Sequence, residues 1–201
     1  MGIKALRDKL MEQPLAYKFV QATLAGAGHK AIKAYLKKQI PKSTKKILDQ
    51  GCGTGEYALL FPNRYTGVDV NPDYINHANQ KYPGKFVVGS AMKMPFKDGS
   101  FDVCFAVGLH HHLTDSEAKK AFKESLRVVK KKGKVVVVDA MLPKNPLNAP
   151  GLILRKMDRG GHVRKWQDTI KLLPDEIKVK PKIISSYPFD YITLILERGK
   201  N

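Results

Sequence analysis

Three glycines at alternate positions form the stretch of sequence with the clearest chemistry. Gly51, Gly53 and Gly55 follow a short hydrophobic run that ends near Asp49. Glycines at such a turn let the backbone bend sharply and approach a ligand where a side chain would collide. The amides at the start of a following helix would add partial positive charge. The third glycine comes one residue too early for the G-x-G-x-x-G dinucleotide motif, so binding of NAD or FAD is disfavoured.

Histidine and aspartate follow two other apolar runs. His110, His111 and His112 come directly after one of them, and imidazole titrates near neutral pH. His111 and His112 are therefore candidates to orient a substrate or to take its proton, although a histidine here can also cap a loop or pack on a ligand. Zinc binding is disfavoured, because three adjacent histidines cannot all face one metal ion and no cysteine pair supports them. Asp139 ends a four-valine run and faces either the substrate or nearby loop amides.

A compact polar cluster lies in the C-terminal part of the chain. Arg159, His162 and Arg164 fall within seven residues of sequence that begin at Asp158. Such a combination is suited to binding an anionic or carbonyl group. The alternative is a turn between helices that is held by pairing of Asp158 with Arg159.

The elements that position these residues have the order typical of a parallel sheet with helices on both faces. Short β-branched runs alternate with helical patterns through the middle of the chain. Ligands bind at the carboxyl edge of such a sheet, where the glycine loop, the histidines and Asp139 all fall. The predicted strands cover residues 46–49, 65–69, 86–88, 101–107, 135–138, 183–187 and 191–197, with residues 188–190 as the last turn. The predicted helices cover residues 3–11, 15–25, 29–40, 73–82 and 116–129, with two more in residues 143–175.

A single domain is expected, because 201 residues with 43% hydrophobic content suit one core. Residues 1–44 would form a helical cap and residues 45–142 the core that carries the motifs. Residues 143–176 would form a helical insertion on the substrate side, and residues 177–201 a closing pair of strands. Since no secretion signal or membrane-spanning run is evident and two cysteines cannot build a disulfide framework, a soluble cytoplasmic protein is expected.

The net charge of +18 is concentrated at the two ends of the chain. Residues 1–46 carry a net charge of +9, residues 47–142 carry +3, and residues 143–201 carry +6. This distribution indicates attraction to an anionic partner, or only a need for solubility. Lysines outnumber arginines by 29 to 7, which weakens the case for a nucleic acid, because bidentate phosphate binding favours arginine.

With Asp49 ahead of the glycines, the loop has the pattern D-x-G-x-G-x-G. On this motif and three others in the same order, residues 45–142 resemble the class I S-adenosylmethionine (SAM)-dependent methyltransferases, in the subgroup called type 11 or UbiE-like. The other three motifs are Asp69, residues 89–96, and residues 101–109 with the segment up to residue 135. The resemblance implies an α/β, Rossmann-like class I methyltransferase fold. Its seven-stranded sheet would be mostly parallel with an antiparallel last strand, and extra helices would precede it.

The resemblance also implies SAM as cofactor and S-adenosylhomocysteine as product. Asp69 matches the acid that binds both ribose hydroxyls, and Val70 would pack near the adenine. Ser90 stands where aspartate is commoner in the family, and its hydroxyl can still accept the adenine amino proton. The residues expected to contact the cofactor are Asp49, Gly51, Cys52, Gly53, Gly55, Asp69, Val70, Ser90, Ala91, Met92, Val107 and Gly108.

The reaction implied is methyl transfer to a small-molecule acceptor, namely a sugar, a lipid-linked intermediate or an aromatic one. His111, His112 and Asp139 are its candidate catalytic residues, and the residues expected to bind the acceptor are Tyr17, Arg159, His162 and Arg164. One alternative is methylation of RNA or protein. Residues 108–111 lack the Asn-Pro-Pro-Tyr type of motif that many base-methylating enzymes carry. Another is a non-catalytic SAM-binding or membrane-surface module, suggested by the basic amphipathic helices within residues 3–40.

Overall fold

The computed structural model describes residues 28–156, 158, 160–177, 179 and 181–197. The predicted helices at residues 3–11 and 15–25 lie outside these ranges. The strands are β1 (Ile47–Gln50), β2 (Tyr65–Asp69), β3 (Lys85–Val88), β4 (Phe101–Val107), β5 (Val129–Met141), β6 (Lys182–Ser186) and β7 (Phe189–Glu197). The helices are α1 (residues 28–39), α2 (Pro72–Lys81), α3 (Asp115–Val128), α4 (Ala149–Lys156) and α5 (Trp166–Ile170), with 3-10 turns at Glu56–Leu60 and His110–His112.

The seven described strands form one sheet in the order β3-β2-β1-β4-β5-β7-β6. Strands β1 to β5 are parallel where they pair, whereas β7 runs antiparallel to both β5 and β6. The order reverses between β1 and β4, so the connections after these strands diverge and leave a crevice at the carboxyl edge. The predicted α/β sheet with its antiparallel last strand is confirmed.

Two hydrophobic clusters cover the two faces of this sheet, and β5 contributes to both. Val135 and Val137 pack on the face that α3 covers, while Val136 and Val138 pack on the face that α1 covers. Side chains alternate between the faces of a strand, so a continuous run of valines fits a strand that is buried on both sides. With both faces covered, the carboxyl edge is the part of the sheet that remains open to a ligand.

Local capping signals place the helices that flank the crevice. The Asn71 side chain accepts hydrogen bonds from the amides of Asp73 and Tyr74, and Pro72 opens α2, as the sequence predicts. Thr114 and Glu117 form a reciprocal capping box at the start of α3. No helix in the described ranges combines the length and apolar character that a membrane crossing needs.

Strand β5 is longer than the predicted strand of residues 135–138, because the chain leaves α3 directly into the sheet. Phe101 pairs with Val129 and Val103 pairs with Lys134, so residues 130–133 form a bulge. A Cβ atom on Gly133 would lie 2.8 Å from the carbonyl oxygen of Lys130, and this close approach requires glycine. The last turn also differs from prediction: it lies at residues 187–188, and Asp190 pairs with Met141 within the sheet.

Candidate active site

A cavity of about 990 Å³ opens at the carboxyl edge of the sheet, where the strand order reverses. The glycine loop and the end of β2 form one end of the cavity, which we call the acidic end after Asp49, Glu56 and Asp69. The exit of β4, α4 and the start of β7 form the other, which we call the arginine end. The acidic end is lined by Asp49, Gly51, Cys52, Gly53, Thr54, Glu56, Tyr57, Asp69, Val70 and Tyr74. The arginine end is lined by Val107, Gly108, Leu109, His111, His112, Leu113, Val138, Ala140, Leu154, Arg155, Asp158, Phe189 and Tyr191.

Hydrogen bonds to the end of β2 hold the glycine loop in shape. The amides of Gly51 and Cys52 donate to the carbonyl oxygen of Val68 at 2.8 and 3.0 Å, and the amide of Gly53 donates to Asp69 Oδ2 at 2.8 Å. Gly53 has a φ of +52°, and a Cβ atom there would meet no atom within 4 Å. The loop therefore presents bare backbone to open cavity space. A five-residue 3-10 turn, Glu56–Leu60, follows the loop in place of the helix expected from the sequence.

Asp69 keeps acceptor capacity free at the rim of the cavity. Besides Gly53, its carboxylate accepts one further backbone bond, from the amide of Asn71 to Oδ1 at 2.9 Å. A carboxylate has about four acceptor positions, so two adjacent hydroxyl groups can still donate to it. This capacity suits the recognition of a ribose.

Asp49 lies beneath the loop as a buried carboxyl group. It is 1% exposed, and the Tyr65 hydroxyl donates to its Oδ2 at 2.5 Å. Burial raises the pKa of Asp49 to about 8, with the charges of Asp69 and Glu56 adding to the effect and the Tyr65 bond opposing it. A nearby positive charge would favour the ionised form of Asp49, so this end of the cavity favours a cationic ligand.

Four of the residues predicted to contact the cofactor do not line the cavity: Gly55, Ser90, Ala91 and Met92. The Ser90 hydroxyl accepts the amide of Met92 at 3.2 Å, and the carbonyl of Ala91 accepts a bond from Gln50 at 2.8 Å. Both cysteines are buried and free, and Cys52 lines the cavity with its neighbours in the loop.

The three adjacent histidines occupy three different environments. His110 turns into the core and stacks on Phe122 at 4.1 Å between ring centroids, and burial lowers the pKa of His110 to about 4. His112 is exposed and lines the cavity; partial burial and the charge of His111 lower its pKa. Only His111 both lines the cavity and contacts carboxylates, as far as the described residues show.

His111 lies between two carboxylates. Its Nδ1 is 2.7 Å from Asp139 Oδ1 and its Nε2 is 3.4 Å from Asp158 Oδ1. Burial disfavours the imidazolium, but the two carboxylates outweigh burial and raise the pKa of His111 to about 9. As an imidazolium it has no free lone pair, so the geometry favours an orienting role over proton acceptance. Asp139 does not line the cavity, and its link to the cavity wall is this contact with His111.

Arg155 and Asp158 are residues of the site that the sequence analysis did not assign to it. The Arg155 guanidinium carbon lies 4.6 Å from the Phe189 ring centroid and 5.0 Å from that of Tyr191. Its Nη1 is 3.4 Å from Asp158 Oδ2, so Asp158 pairs with Arg155 and His111. The feature of the sequence that could have pointed to Arg155 is its place as the one arginine in the apolar helix α4, four residues after Gly151.

Of the residues predicted to bind the acceptor, the two that the structure describes, His162 and Arg164, are not in the cavity wall. Arg164 donates to Asp115, to the carbonyl of His110 and to the carbonyl of Leu113. Through these bonds Arg164 fastens the loop after β4, and its contact with an acceptor stays a prediction. His162 also lies outside the cavity lining, while Tyr17 and Arg159 lie outside the described residues.

Fold and site together define a SAM-dependent methyltransferase of class I, and comparison with known proteins agrees. A family model described as a methyltransferase domain matches residues 48–137. The demethylmenaquinone methyltransferase of Thermus thermophilus is 32% identical over 159 residues, which cover 71% of this chain and 70% of that protein. The chain therefore belongs to the UbiE-like class I SAM-dependent methyltransferase family. A crystal structure of the PH0226 protein of Pyrococcus horikoshii shares the fold, with a TM-score of 0.69 and 21% identity over 92% of this chain and 99% of that one.

Other relatives match over shorter segments. The 2-methyl-6-phytyl-1,4-hydroquinone methyltransferase of Synechocystis is 35% identical over 137 residues, which cover 64% of this chain but 42% of that protein. The chain spans less than half the length of this protein and of several demethylmenaquinone methyltransferases. The cofactor of the family is SAM, and the acidic end fits it. The bare backbone at Gly53, the free acceptor positions of Asp69 and the three carboxyl groups suit a ribose and a cationic sulfonium.

Proposed function

We propose that this chain transfers the methyl group of SAM to an aromatic small molecule of the hydroquinone type. One observation carries the proposal: a single cavity is lined at one end by the glycine loop with Asp69 and at the other by His111 with Arg155. A cofactor and an acceptor can thus meet inside one enclosure. The relatives named after demethylmenaquinone and a hydroquinone support this class of acceptor.

In this proposal the acidic end binds the cofactor. The space beside Gly53 would hold part of the cofactor. Asp69 would accept hydrogen bonds from the ribose hydroxyls. Asp49 would ionise next to the positive charge of the sulfonium. SAM, when bound, supplies an electrophilic methyl group on a sulfonium. The chain itself then contributes orientation of the acceptor and exclusion of water, which are the main tasks left to a protein in such a reaction.

The arginine end would hold the acceptor. Its apolar members include Leu113, Val138, Ala140 and Leu154, a surface that a flat ring covers better than a sugar, whose hydroxyl groups would lose their hydrogen bonds to water. His111 is held in the wall of this end by Asp139 and Asp158, which take up its two ring nitrogens. Among the acceptor classes expected from the sequence, this end therefore favours the aromatic one.

Residues 1–44 would cover the cavity, and residues 143–176 would form its acceptor side. His29 and Ile32 of α1 line the cavity, which supports the first assignment. Leu154, Arg155 and Asp158 support the second.

Binding and transfer can be measured separately. We expect S-adenosylhomocysteine to bind in calorimetry and Asp69→Asn to weaken that binding at least about tenfold, since a charged acceptor is lost. Asp73→Asn, an exposed carboxylate on α2, is the matched control. Methyl transfer from labelled SAM is then assayed with hydroquinones, sugars, total RNA and protein as acceptors. Absence of cofactor binding, or transfer to RNA or protein alone, would contradict the proposal.

A further inference from the structure

Arg155 is a buried cation in the cavity wall whose hydrogen-bonding capacity is largely unused. Its side chain is 7% exposed, yet Nε has no hydrogen-bond partner among the described residues. Nη2 donates to the carbonyl of Asp190 at 3.0 Å, and Nη1 reaches Asp158 only at 3.4 Å. A guanidinium carries five N–H donors, and a buried charged group with unmet donors costs free energy. A ligand that brings an acceptor atom to Arg155 would remove this cost.

The carboxylate beside Arg155 is shared with other donors. Asp158 Oδ1 accepts the amide of Gly160 at 2.9 Å and lies 3.4 Å from His111 Nε2. Although burial opposes ionisation, these contacts together with Arg155 hold the pKa of Asp158 well below its usual range. Both ring nitrogens of His111 are already directed at carboxylates. Of these two cations in the cavity wall, Arg155 is thus the one that keeps an unpartnered N–H among the described residues.

Two aromatic rings fix the plane of this cation and line the same end of the cavity. Phe189 and Tyr191 lie 4.6 and 5.0 Å from the guanidinium carbon, which is within the range of cation–π attraction. Tyr191 also shares a side-chain hydrogen bond with Arg155, whereas the Nε–H of Arg155 stays without a partner among the described residues. Next to them, Leu154 and Ala140 provide apolar surface. The combination suits a flat conjugated ring with one negatively charged oxygen.

The opposite end of the cavity repels the same ligand. Glu56 and Asp69 lie there, and a bound anion would oppose the ionisation of Asp49, whose pKa is raised to about 8. An anion is therefore attracted to Arg155 and not to the glycine loop. This difference in charge between the two ends directs an anionic acceptor to the arginine end and a cationic cofactor to the acidic end.

We infer that Arg155 selects the methyl acceptor by binding an oxygen anion on a planar conjugated ring, such as a phenolate or a ring carboxylate. The inference rests on the proposed function, since it assigns the acceptor end of that cavity. It also goes beyond that function, because it names the charge state and the shape that the acceptor must have.

The test compares charged and neutral probes of one shape. Benzoate is compared with benzamide, and 4-nitrophenolate with nitrobenzene, by calorimetry at one pH with and without S-adenosylhomocysteine. We expect the anions to bind wild-type protein about 10- to 100-fold more tightly than their neutral partners, the range for a hydrogen bond to a charged group. Arg155→Gln should abolish this preference, and Arg155→Lys should retain part of it. The control is Lys156→Gln, which removes a charge from the exposed neighbour on α4 and should keep the preference.

Each outcome decides between selection and a merely structural role. Equal binding of charged and neutral probes by wild-type protein, or a full preference in folded Arg155→Gln, overturns the inference. If Arg155→Gln does not fold, the Nε–H resonance of Arg155 in wild-type protein replaces it, assigned with Arg155→Lys. That resonance should shift with benzoate but not with benzamide, and no shift with benzoate overturns the inference. Failure of S-adenosylhomocysteine to bind refutes the proposed function alone, because the probes are also measured without it.

Discussion

The ion pair of His111 with Asp139 predicts a specific response to Asp139→Asn. The two side chains are 9% and 4% exposed, and their contact is 2.7 Å long. The pKa of His111 lies at about 9 instead of its ordinary 6.5, and this difference corresponds to roughly 3 kcal/mol in favour of the folded imidazolium. Without Asp139 only the longer contact to Asp158 opposes burial, so the pKa of His111 should fall by at least about one pH unit.

The same shift fixes the direction of the pH dependence of stability. Because folding raises the pKa of His111, its stabilising contribution is complete below pH 6.5 and disappears as the pH rises through about 9. Between pH 6 and 9 the free energy of unfolding of wild-type protein should therefore fall by roughly 1 to 3 kcal/mol more than that of Asp139→Asn. Asp49 also ionises in this interval, but it does so in both proteins and cancels in their difference.

Two measurements check this prediction. NMR titration of the histidine rings gives the pKa of His111, with His111→Gln for assignment, and urea unfolding at pH 6 and pH 9 gives the stability difference. Asp168→Asn is the control, since it removes a half-exposed carboxylate that pairs with Lys171 at the surface. Two results would refute the ionic description of this contact: a pKa of His111 near 6.5 in wild-type protein, or a pKa of His111 that does not change in Asp139→Asn.

Three further predictions concern the walls of the cavity and the start of α3. Folding raises the pKa of Asp49 from 3.8 to about 8, so its ionisation destabilises the fold as the pH rises. In urea unfolding between pH 6 and 9, the free energy of unfolding of Asp49→Asn should therefore rise by roughly 3 kcal/mol relative to that of wild type. A difference in free energy that stays constant over this pH range would contradict this prediction. In Gly160→Ala the new Cβ would lie 2.2 Å from His111 Cδ2 and would displace the His111 ring. The rate of methyl transfer should then fall at least about tenfold, with unchanged affinity for S-adenosylhomocysteine. An undiminished rate would show that the reaction does not depend on the position of His111. Thr114→Ala should lower the free energy of unfolding by about 1 kcal/mol, because it removes the capping box of α3. Ser116→Ala is the control. Equal stability of the Thr114→Ala and Ser116→Ala variants would contradict a stabilising role of the cap.

Local signals explain why the fold could be predicted from the sequence. The valine run of β5 and the Asn71-Pro72 start of α2 act over a few residues, and both are found where the sequence places them. The boundaries that differ depend on distant pairing. Val129 enters the sheet because it meets Phe101, and Phe189 begins β7 because it meets Ser186; neither contact has a signature in the sequence around it.

The two ends of the cavity also differ in whether local sequence or distant packing brings their residues together. At the acidic end, Asp49, the glycines and Asp69 lie within 21 residues of sequence, so spacing alone brought them together. At the arginine end, Arg155 reaches the cavity only because α4 packs against the start of β7, where Asp190 accepts its hydrogen bond. Asp158 pairs with Arg155, three residues earlier in the sequence, a partner that the sequence analysis did not consider; the predicted partner, Arg159, lies outside the described residues.

The bulge at residues 130–133 has a practical consequence for handling this protein. It lies at the amino end of the parallel pairing between β4 and β5, at the edge of the sheet opposite the cavity. Lys131 and Lys132 are exposed there, and exposed loop tips are where chains accept inserted segments. A peptide tag or a surface-attachment handle placed between these two lysines, with Gly133 kept, would immobilise the molecule with its cavity facing outward.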